Sequence, residues 1–245
     1  IVSLGVSAGI YSDVTNSFGA LELADDDIDW HDNPEMFLPG EGISLFFESD
    51  EERQYKISSD IRSHDNEMKV WNAFVKNNTQ SEVELDWSFT QPAESEVAIR
   101  IVDLNTRRVV NPKTISNLNL GQVDNRYERR LKIVSGSESQ VTAKVAEVLA
   151  LVPEKLSVDG NYPNPFNPIT TIKYGLPEPS DIRITIVNIL GQEVAELRNG
   201  WQDIGRYEAS WNGQSSNGSP MSSGVYFVVL SDGKTLKSHK IMLIK

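Results

Sequence analysis

The chain has 245 residues, 39% of them hydrophobic, and a formal net charge of −12. This length allows two domains with cores of their own, and no apolar run in the sequence approaches the ~20 residues of a membrane-spanning helix. The absence of cysteine excludes disulfides, thiolate metal sites and cysteine nucleophiles. The first 52 residues contain many Asp and Glu but neither Lys nor Arg, which excludes nucleic acid and anionic lipid as partners.

The N-terminal part of the chain reads as short strands separated by polar turns. The clearest is 82–89, in which every second residue from Val83 to Phe89 is apolar, as expected for a half-buried strand. The segment 97–104 shows the same alternation, and we expect the two to form an antiparallel pair. Further strands are expected at 2–8, 43–48, 68–76 and 127–134. Six short strands without a long amphipathic helix among them predict a β-sandwich.

An acidic run, Asp25-Asp26-Asp27-Ile28-Asp29-Trp30-His31-Asp32, is the one metal candidate. Asp25, Asp27 and Asp29 have the alternate spacing that opens a calcium loop. Trp30 stands where that loop needs glycine, and Met36 where it needs a bidentate glutamate. We therefore favour a solvated acidic loop, with calcium in another geometry as the alternative.

Catalytic constellations are weak in this sequence. Ser63, His64 and Asp65 are consecutive, whereas adjacent side chains on an extended chain point to opposite faces and a triad needs separate elements to converge. We expect no catalytic residue, no bound metal and no cofactor. Trp71 and Trp87 occupy strand positions that predict core packing, while Trp30 and Trp201 are candidates for an exposed sugar platform.

A change of pattern separates the two halves. Valines at three- and four-residue spacing predict a short helix over 139–152, which ends before Pro153. Soon afterwards comes the octamer Asn161-Tyr162-Pro163-Asn164-Pro165-Phe166-Asn167-Pro168, whose prolines stiffen the chain and cannot donate to a central strand. We expect it to lie at an edge or as a cap, with Tyr162 and Phe166 packed as anchors.

The C-terminal part carries sharper strand signals, with turn dipeptides such as Asn199-Gly200, Asn212-Gly213 and Asp232-Gly233 between them. The expected strands are 170–176, 182–189, 193–197, 206–211, 225–230 and 234–243. This number of strands in about ninety residues predicts an immunoglobulin-like sandwich. The expected fold is therefore all-β, with two β-sandwich domains, 1–152 and 153–245, joined by the short helix and the proline-rich segment.

Several motifs follow the octamer in order. They are Thr170-Thr171-Ile172, Val187-Asn188-Ile189-Leu190-Gly191-Gln192-Glu193-Val194, Trp211-Asn212-Gly213, Ser223-Gly224-Val225-Tyr226 and Lys240-Ile241-Met242-Leu243-Ile244-Lys245. Together with the octamer they resemble the C-terminal sorting domain of type IX secretion substrates, which is similar to the immunoglobulin-like domain of flagellar hook-capping proteins. The resemblance covers about 153–245 and implies export to the periplasm, translocation across the outer membrane of a Gram-negative-type bacterium, and then removal or surface anchoring.

These observations predict a non-catalytic secreted or cell-surface protein that interacts with the secretion machinery of the outer membrane. The N-terminal domain is then a passenger or a spacer. The residues expected to form the secretion and docking segment are Tyr162, Pro163, Pro165, Phe166, Pro168, Gly224, Tyr226, Lys240 and Lys245.

Two alternatives remain open at this stage. One is a self-assembling extracellular subunit of a filament or surface layer, in which the strand-like segment 1–7 completes a sheet of another copy. The other is the C-terminal tail of a larger secreted hydrolase or glycan-binding protein.

Overall fold

The computed structural model describes residues 1–21, 24, 32–35, 42–48, 56–63, 67–90 and 97–245. Two compact units are present, Ile1–Leu149 and Ala150–Lys245, named below the first unit and the second unit. Both consist mainly of β-strands, and the described residues contain a single helix. The expected all-β fold class is confirmed.

The described strands of the first unit form one continuous sheet. They are β1 (Val2–Ala8), β2 (Tyr11–Leu21), β3 (Asn33–Pro34), β4 (Ile43–Glu48), β5 (Lys56–Ser63), β6 (Lys69–Asn77), β7 (Glu82–Phe89), β8 (Ala98–Asp103), β9 (Arg108–Val110), β10 (Asn117–Gln122) and β11 (Arg129–Gly136). Their order in the sheet is β10-β7-β1-β2-β5-β4-β6-β11-β8-β9, and β3 pairs with β5. The pairing of β2 with β5 is parallel, and the other pairings are antiparallel.

A large apolar core is formed by residues of this sheet. Its buried side chains come from strands near both ends of the sheet order, including β10, β7, β11 and β8. The ring of Phe18 on β2 lies 5.0 Å from that of Trp71 on β6. The fully buried Asn77 is hydrogen-bonded: its Nδ2 atom donates to the carbonyl oxygens of Ser81 and Val123.

The predicted antiparallel pairing of 82–89 with 97–104 is wrong. β7 lies between β10 and β1, whereas β8 lies between β11 and β9, towards the other end of the sheet. The physical reason is that β1 is buried along most of its length, a pattern typical of a central strand, and it takes β2 on one edge and β7 on the other. Within this fold, β1 offers no free edge to another copy.

The described strands β2, β3, β5, β9 and β10 were absent from the sequence prediction. β10, for example, buries only Leu118 and Leu120 and is otherwise polar, so its alternation is too short to identify. Its partner β7 supplies the longer apolar face. Pairing between distant segments therefore decides these strands.

The helix α1 (Glu138–Leu151) lies close to the predicted range 139–152. It begins with a capping box, because the backbone amide of Ser137 donates to Oε1 of Gln140 while the Gln140 amide donates to Oγ of Ser137. Val141 packs in a small cluster with Ala98 and Val134 of the sheet. The helix ends two residues before Pro153, as proline requires.

The second unit consists of two antiparallel sheets, as expected for an immunoglobulin-like sandwich. Its strands are β12 (Ser157–Tyr162), β13 (Thr170–Leu176), β14 (Ser180–Asn188), β15 (Glu193–Gln202), β16 (Gly205–Trp211), β17 (Gly224–Ser231) and β18 (Leu236–Leu243). One sheet has the order β12-β13-β16, and the other has the order β15-β14-β17-β18. Buried residues of both sheets, among them Ile172, Leu176, Ile184 and Val228, share one core.

Two details of the second unit differ from the sequence prediction. Asn199-Gly200, expected to be a hairpin turn, lies inside β15, because both residues pair with β14. β12 was not predicted, because its sequence is polar and it has a bulge at Gly160, which takes a φ of +140°. Backbone pairing with a strongly apolar neighbour strand outweighs the local signal in both cases.

Candidate docking site of the second unit

The connections of the second unit lie at its two ends. Because consecutive strands alternate in direction, the connections 163–169, 189–192 and 212–223 and the last residues 244–245 lie at one end, named here the proline end. The segments 152–156, 177–179, 203–204 and 232–235 lie at the other, named here the opposite end. Motifs that are far apart in the sequence therefore meet at the proline end.

Three aromatic side chains form the centre of the proline end. Phe166, which is 1% exposed, contacts Trp211 with ring centroids 5.5 Å apart, and Trp211 contacts Tyr226 edge-on at 5.1 Å. Such tilted and edge-on contacts are favourable for aromatic rings. Burial raises the pKa of the Tyr226 phenol, whose hydroxyl donates to the carbonyl oxygen of Ser222 at 2.8 Å. One residue from each of three motifs thus contributes to this cluster.

The octamer 161–168, named the proline segment below, also pairs with the last strand, β18. The backbone amide of Phe166 donates to the carbonyl of Met242 at 3.0 Å, and the amide of Ile244 donates to the carbonyl of Phe166 at 2.9 Å. The pairing is a parallel bridge between Phe166 and Leu243. β18 is an edge strand of its sheet, so the proline segment covers the C-terminal part of an open edge.

Asn164 extends this cover with its side chain. Its Oδ1 atom accepts a hydrogen bond from the Met242 amide at 3.0 Å, and its Nδ2 atom donates to the Lys240 carbonyl at 3.4 Å. The amide group of Asn164 offers a donor and an acceptor, as a backbone peptide does. A segment interrupted by prolines can therefore still satisfy a strand edge.

The carbonyl groups of the prolines are fixed as well. Thr170 Oγ1 donates to the Pro163 carbonyl at 2.8 Å, and Asn161 Nδ2 donates to the same carbonyl at 3.1 Å. The Pro168 carbonyl lies so close to Gly213 that a Cβ there would stand 3.1 Å from it, and the φ of Gly213 is +70°. Glycine is required at this turn for both reasons.

The prediction that both aromatic rings of the octamer pack is correct for Phe166 and wrong for Tyr162, which is 79% exposed. The register of β12 explains the difference. Asn161 pairs with the buried Ile172, so Tyr162, the next residue, shares the outer face with Thr171.

The other expected docking residues occupy varied positions. Gly224 begins β17 and pairs with Leu243 of β18. Pro165, Lys240 and Lys245 are exposed, and the Lys245 amide donates to Ser223 Oγ at 3.0 Å. The expected residues other than Lys240 lie at the proline end, and the carbonyl of Lys240 is reached by Asn164. Their role in docking stays a prediction.

Three residues of this arrangement were missing from the expected set: Asn164, Thr170 and Trp211. Each lies in a motif of the sequence analysis. Their signals were a polar residue between two prolines, a threonine two residues after the octamer, and a tryptophan before a glycine turn. Hydrogen-bonding capacity was the property that would have identified the first two.

Other candidate sites receive no further support. No group of three or more His, Cys, Asp or Glu suited to a metal occurs in the described parts of the chain. The acidic residues 25–31, including Trp30, and the pair His64 and Asp65 lie outside the described residues, so the calcium and sugar hypotheses remain predictions. Asp32 accepts a hydrogen bond from the Ile61 amide at 2.9 Å. Trp201, expected to be exposed, is half-buried in β15.

The single helix of the described ranges, α1, does not have the length and apolar character needed to span a membrane.

No curated protein matches the chain. The solved structures with detectable similarity to it include two from Porphyromonas gingivalis. PorZ, an essential bacterial surface component of the type-IX secretion system, is 19% identical over 46% of this chain and 14% of its own, with a TM-score of 0.27. Dimeric latent PorU is 15% identical over 82% of this chain and 20% of its own, with a TM-score of 0.31.

The chain thus spans a fifth or less of either solved protein. These low TM-scores do not establish a shared fold, and the family match stands independently of them. Residues 161–245 match the family described as the secretion system C-terminal sorting domain. This match confirms the resemblance derived from the ordered motifs, and the part of the chain that contains the proline end is therefore a C-terminal sorting domain.

Proposed function

We propose that the chain is a non-catalytic exported protein in which the second unit directs type IX secretion and attachment at the outer cell surface. The first unit is then the cargo or a spacer. The observation that carries this proposal is the family match over residues 161–245, in which the matched motifs converge on one end of a folded unit. Recognition by shape, and not a chemical reaction, is the function of such a surface.

The construction of the proline end supports recognition. The backbone of Phe166 pairs with β18, the side chain of Asn164 accepts a hydrogen bond from the Met242 amide, and the side chain of Thr170 donates to the Pro163 carbonyl. A surface that is ordered before binding loses less conformational entropy when a partner binds. The partner we propose is a component of the export machinery in the outer membrane.

The distribution of charge supports the assignment of the first unit as cargo. Residues 153–245 contain as many basic as acidic side chains, so the net charge of −12 belongs to the N-terminal part of the chain. A net negative charge favours solubility outside the cell and opposes nonspecific association with anionic surfaces. The second unit is then recognised by the export machinery, and the first unit is what that machinery exports.

The proposal is tested by export of the whole chain, preceded by a signal peptide, in a bacterium with a type IX system and in an isogenic strain without it. A variant that lacks residues 153–245 is the control. We expect the whole chain outside the competent cells and the shortened chain in the periplasm. Retention of the whole chain in the periplasm of competent cells, or its release by deficient cells, contradicts the proposal.

A further inference from the structure

The hairpin between β14 and β15 presents two large aliphatic side chains to solvent. Ile189 is 73% exposed and Leu190 is 77% exposed. Turn tips are ordinarily made of Gly, Asn, Asp, Ser and Pro, which suit both water and the turn geometry. Two adjacent aliphatic residues at such a tip leave apolar surface in water without a contribution to the core.

This hairpin is held in a defined conformation. Asn188 Oδ1 accepts hydrogen bonds from the amides of Leu190 at 2.9 Å and Gln192 at 3.0 Å. The backbone amide of Asn188 donates to the backbone carbonyl of Gln192 at 2.9 Å, and Gly191 supplies a φ of +79°. The two aliphatic side chains therefore extend from a fixed support, which reduces the entropy lost when they insert into a partner.

Further apolar side chains are exposed at the same end of the unit. Tyr162, Ile169 and Ile244 are large, exposed and adjacent to the proline segment or to the end of β18. Asn188 pairs with β17 near the point where β17 pairs with the end of β18. The hairpin therefore lies two strands from Ile244, which is about 10 Å at the usual strand spacing.

The two ends of the second unit differ in charge. The connections 163–169, 189–192 and 212–223 at the proline end contain no Asp, Glu, Lys or Arg, and the charged residues that adjoin them are Glu193 and Lys245. Every connection at the opposite end contains at least one, and there Lys234 and Glu178 approach to 3.4 Å. Exposed apolar and aromatic residues combined with depletion of charge characterise the buried centre of protein–protein interfaces.

We propose that the proline end, with Ile189 and Leu190 as the inserted residues, docks on an apolar, uncharged surface of a protein component of the export machinery. This inference rests on the proposed function. A strongly charged partner surface would lose its hydration over these uncharged connections without gaining enough opposite charges. Binding of the hairpin on a membrane surface would call for several basic residues beside the apolar ones, and this end supplies Lys245 alone.

The test compares a double variant, Ile189→Ser with Leu190→Ser, with Leu236→Ser. Leu236 is 63% exposed and begins β18 at the opposite end, so it matches the aliphatic character and the exposure but not the location. The measurement is the ratio of exported to periplasmic whole chain in the type IX-competent strain. We expect the double variant to lower this ratio about tenfold or more, the effect of losing a binding hot spot, and L236S to leave it unchanged.

The outcomes separate this inference from the proposed function. If the unchanged chain is not exported by the competent strain, the proposed function itself fails. If the unchanged chain is exported and the double variant is exported equally well, the docking surface is wrong while the proposed function stands. An equal loss in L236S also overturns the inference, because the effect would then not belong to the proline end.

A variant outside the hairpin guards against misfolding. Tyr162→Ser changes another exposed side chain of the same end, and we expect a smaller fall in the export ratio with an unchanged unfolding temperature. If the hairpin variant unfolds at a lower temperature than the unchanged chain, its export no longer tests the docking surface, and the export of Y162S is the test instead. Normal export of Y162S then overturns the inference.

Two other occupants would give their own signals. Light scattering of the purified chain detects a dimer, and flotation with phosphatidylethanolamine and phosphatidylglycerol vesicles detects membrane binding. A dimer or a vesicle complex that forms with the unchanged chain and is lost in the double variant contradicts the inference, because the occupant is then a second copy or a lipid surface. A monomer that stays in the unfloated fraction supports it.

Discussion

The two units of the molecule achieve a β-fold in different ways. The first unit is one long sheet whose neighbours in space are far apart in sequence, such as β1 beside β7 and β6 beside β11. The second unit has two small sheets made of strands that alternate in direction, fastened at one end by a short segment. In the second unit a few motif residues therefore determine how the segments assemble, whereas in the first unit this depends on many strand pairings between distant segments.

The largest expected effect sharpens this contrast within the octamer itself. Phe166→Ala removes a fully buried ring beside Trp211, and we expect a loss of about 3–5 kcal/mol in the free energy of unfolding of the second unit. Tyr162→Ala, four residues earlier, removes an exposed ring and should change that free energy by about 0.5 kcal/mol or less. Denaturant unfolding of both variants measures the difference. Equal losses would show that the octamer acts as a uniform stiff spacer.

In the first unit the corresponding test concerns a buried ion pair. Asp103 accepts two hydrogen bonds from the Arg129 guanidinium, at 2.9 and 2.6 Å, and both side chains are buried. Asp103→Ala leaves the Arg129 charge buried without its partner. We expect the free energy of unfolding of the first unit to fall by about 3–5 kcal/mol. The matched control is Arg126→Ala, which breaks the exposed pair with Asp124 and should cost about 1 kcal/mol or less.

Denaturant unfolding of D103A and R126A measures both losses. The readout is a signal that reports the unfolding of the first unit. Similar losses for D103A and R126A would contradict the role of burial. Loss of stability in the second unit upon D103A would contradict the separation of the two compact units.

A smaller loss of stability is expected at Asn164, whose side chain bonds to the edge of β18 as a neighbouring strand would. Asn164→Ala removes the acceptor of the Met242 amide and should cost about 1 kcal/mol, the usual net value of one hydrogen bond. Asn167→Ala, in the same octamer, changes an exposed residue and serves as the control. Amide hydrogen exchange at Met242 should become faster in N164A and remain unchanged in N167A. Unchanged protection in N164A would show that the segment does not cover this edge.

The smallest effect depends on pH and lies in the first unit. Burial, and secondly the charge of Asp13, raise the pKa of Glu35 from 4.5 to about 7. The folded state therefore holds a proton that the unfolded state releases, and stability falls as the pH rises from 4.5 to 7. Glu35→Gln has no such proton to lose. Its free energy of unfolding at pH 8 should therefore be higher than that of the unchanged chain by on the order of 1 kcal/mol, a value reduced because the side chain is partly exposed to solvent.

Urea unfolding at pH 4.5 and at pH 8 measures this difference. The two proteins should be equally stable at the lower pH and differ at the higher. A difference that is the same at both pH values would show that the substitution acts through packing and not through the proton of Glu35.

Much of the second unit was predictable from its sequence, because its strands alternate apolar and polar residues and its turns contain glycine. The ordered motifs also identified its family, and the packing of Phe166 agrees with the expectation that the octamer caps an edge with its aromatic residues as anchors. The exposed position of Tyr162 did not follow, because it depends on a register in which Asn161 faces Ile172. Register is set by partner strands, which the local sequence does not contain.

Less of the first unit was predictable, for a related reason. The pairing of β7 with β1 joins residues about eighty positions apart, whereas the sequence favoured the next strand along the chain. Polar strands such as β10 carry only two inward residues and depend on β7 for their structure. The hydrogen bonds of Asn164 were missed because its neighbours in space, Lys240 and Met242, lie at the end of the chain.

In the proposed function, the second unit alone carries the information for export. The most direct measurement is the location of a periplasmic reporter fused to residues 150–245, compared with the reporter alone, in strains with and without the type IX system. We expect the fusion to leave the periplasm only in the competent strain, and we expect the reporter alone to remain in the periplasm of both strains. A fusion that stays in the periplasm of the competent strain contradicts the account.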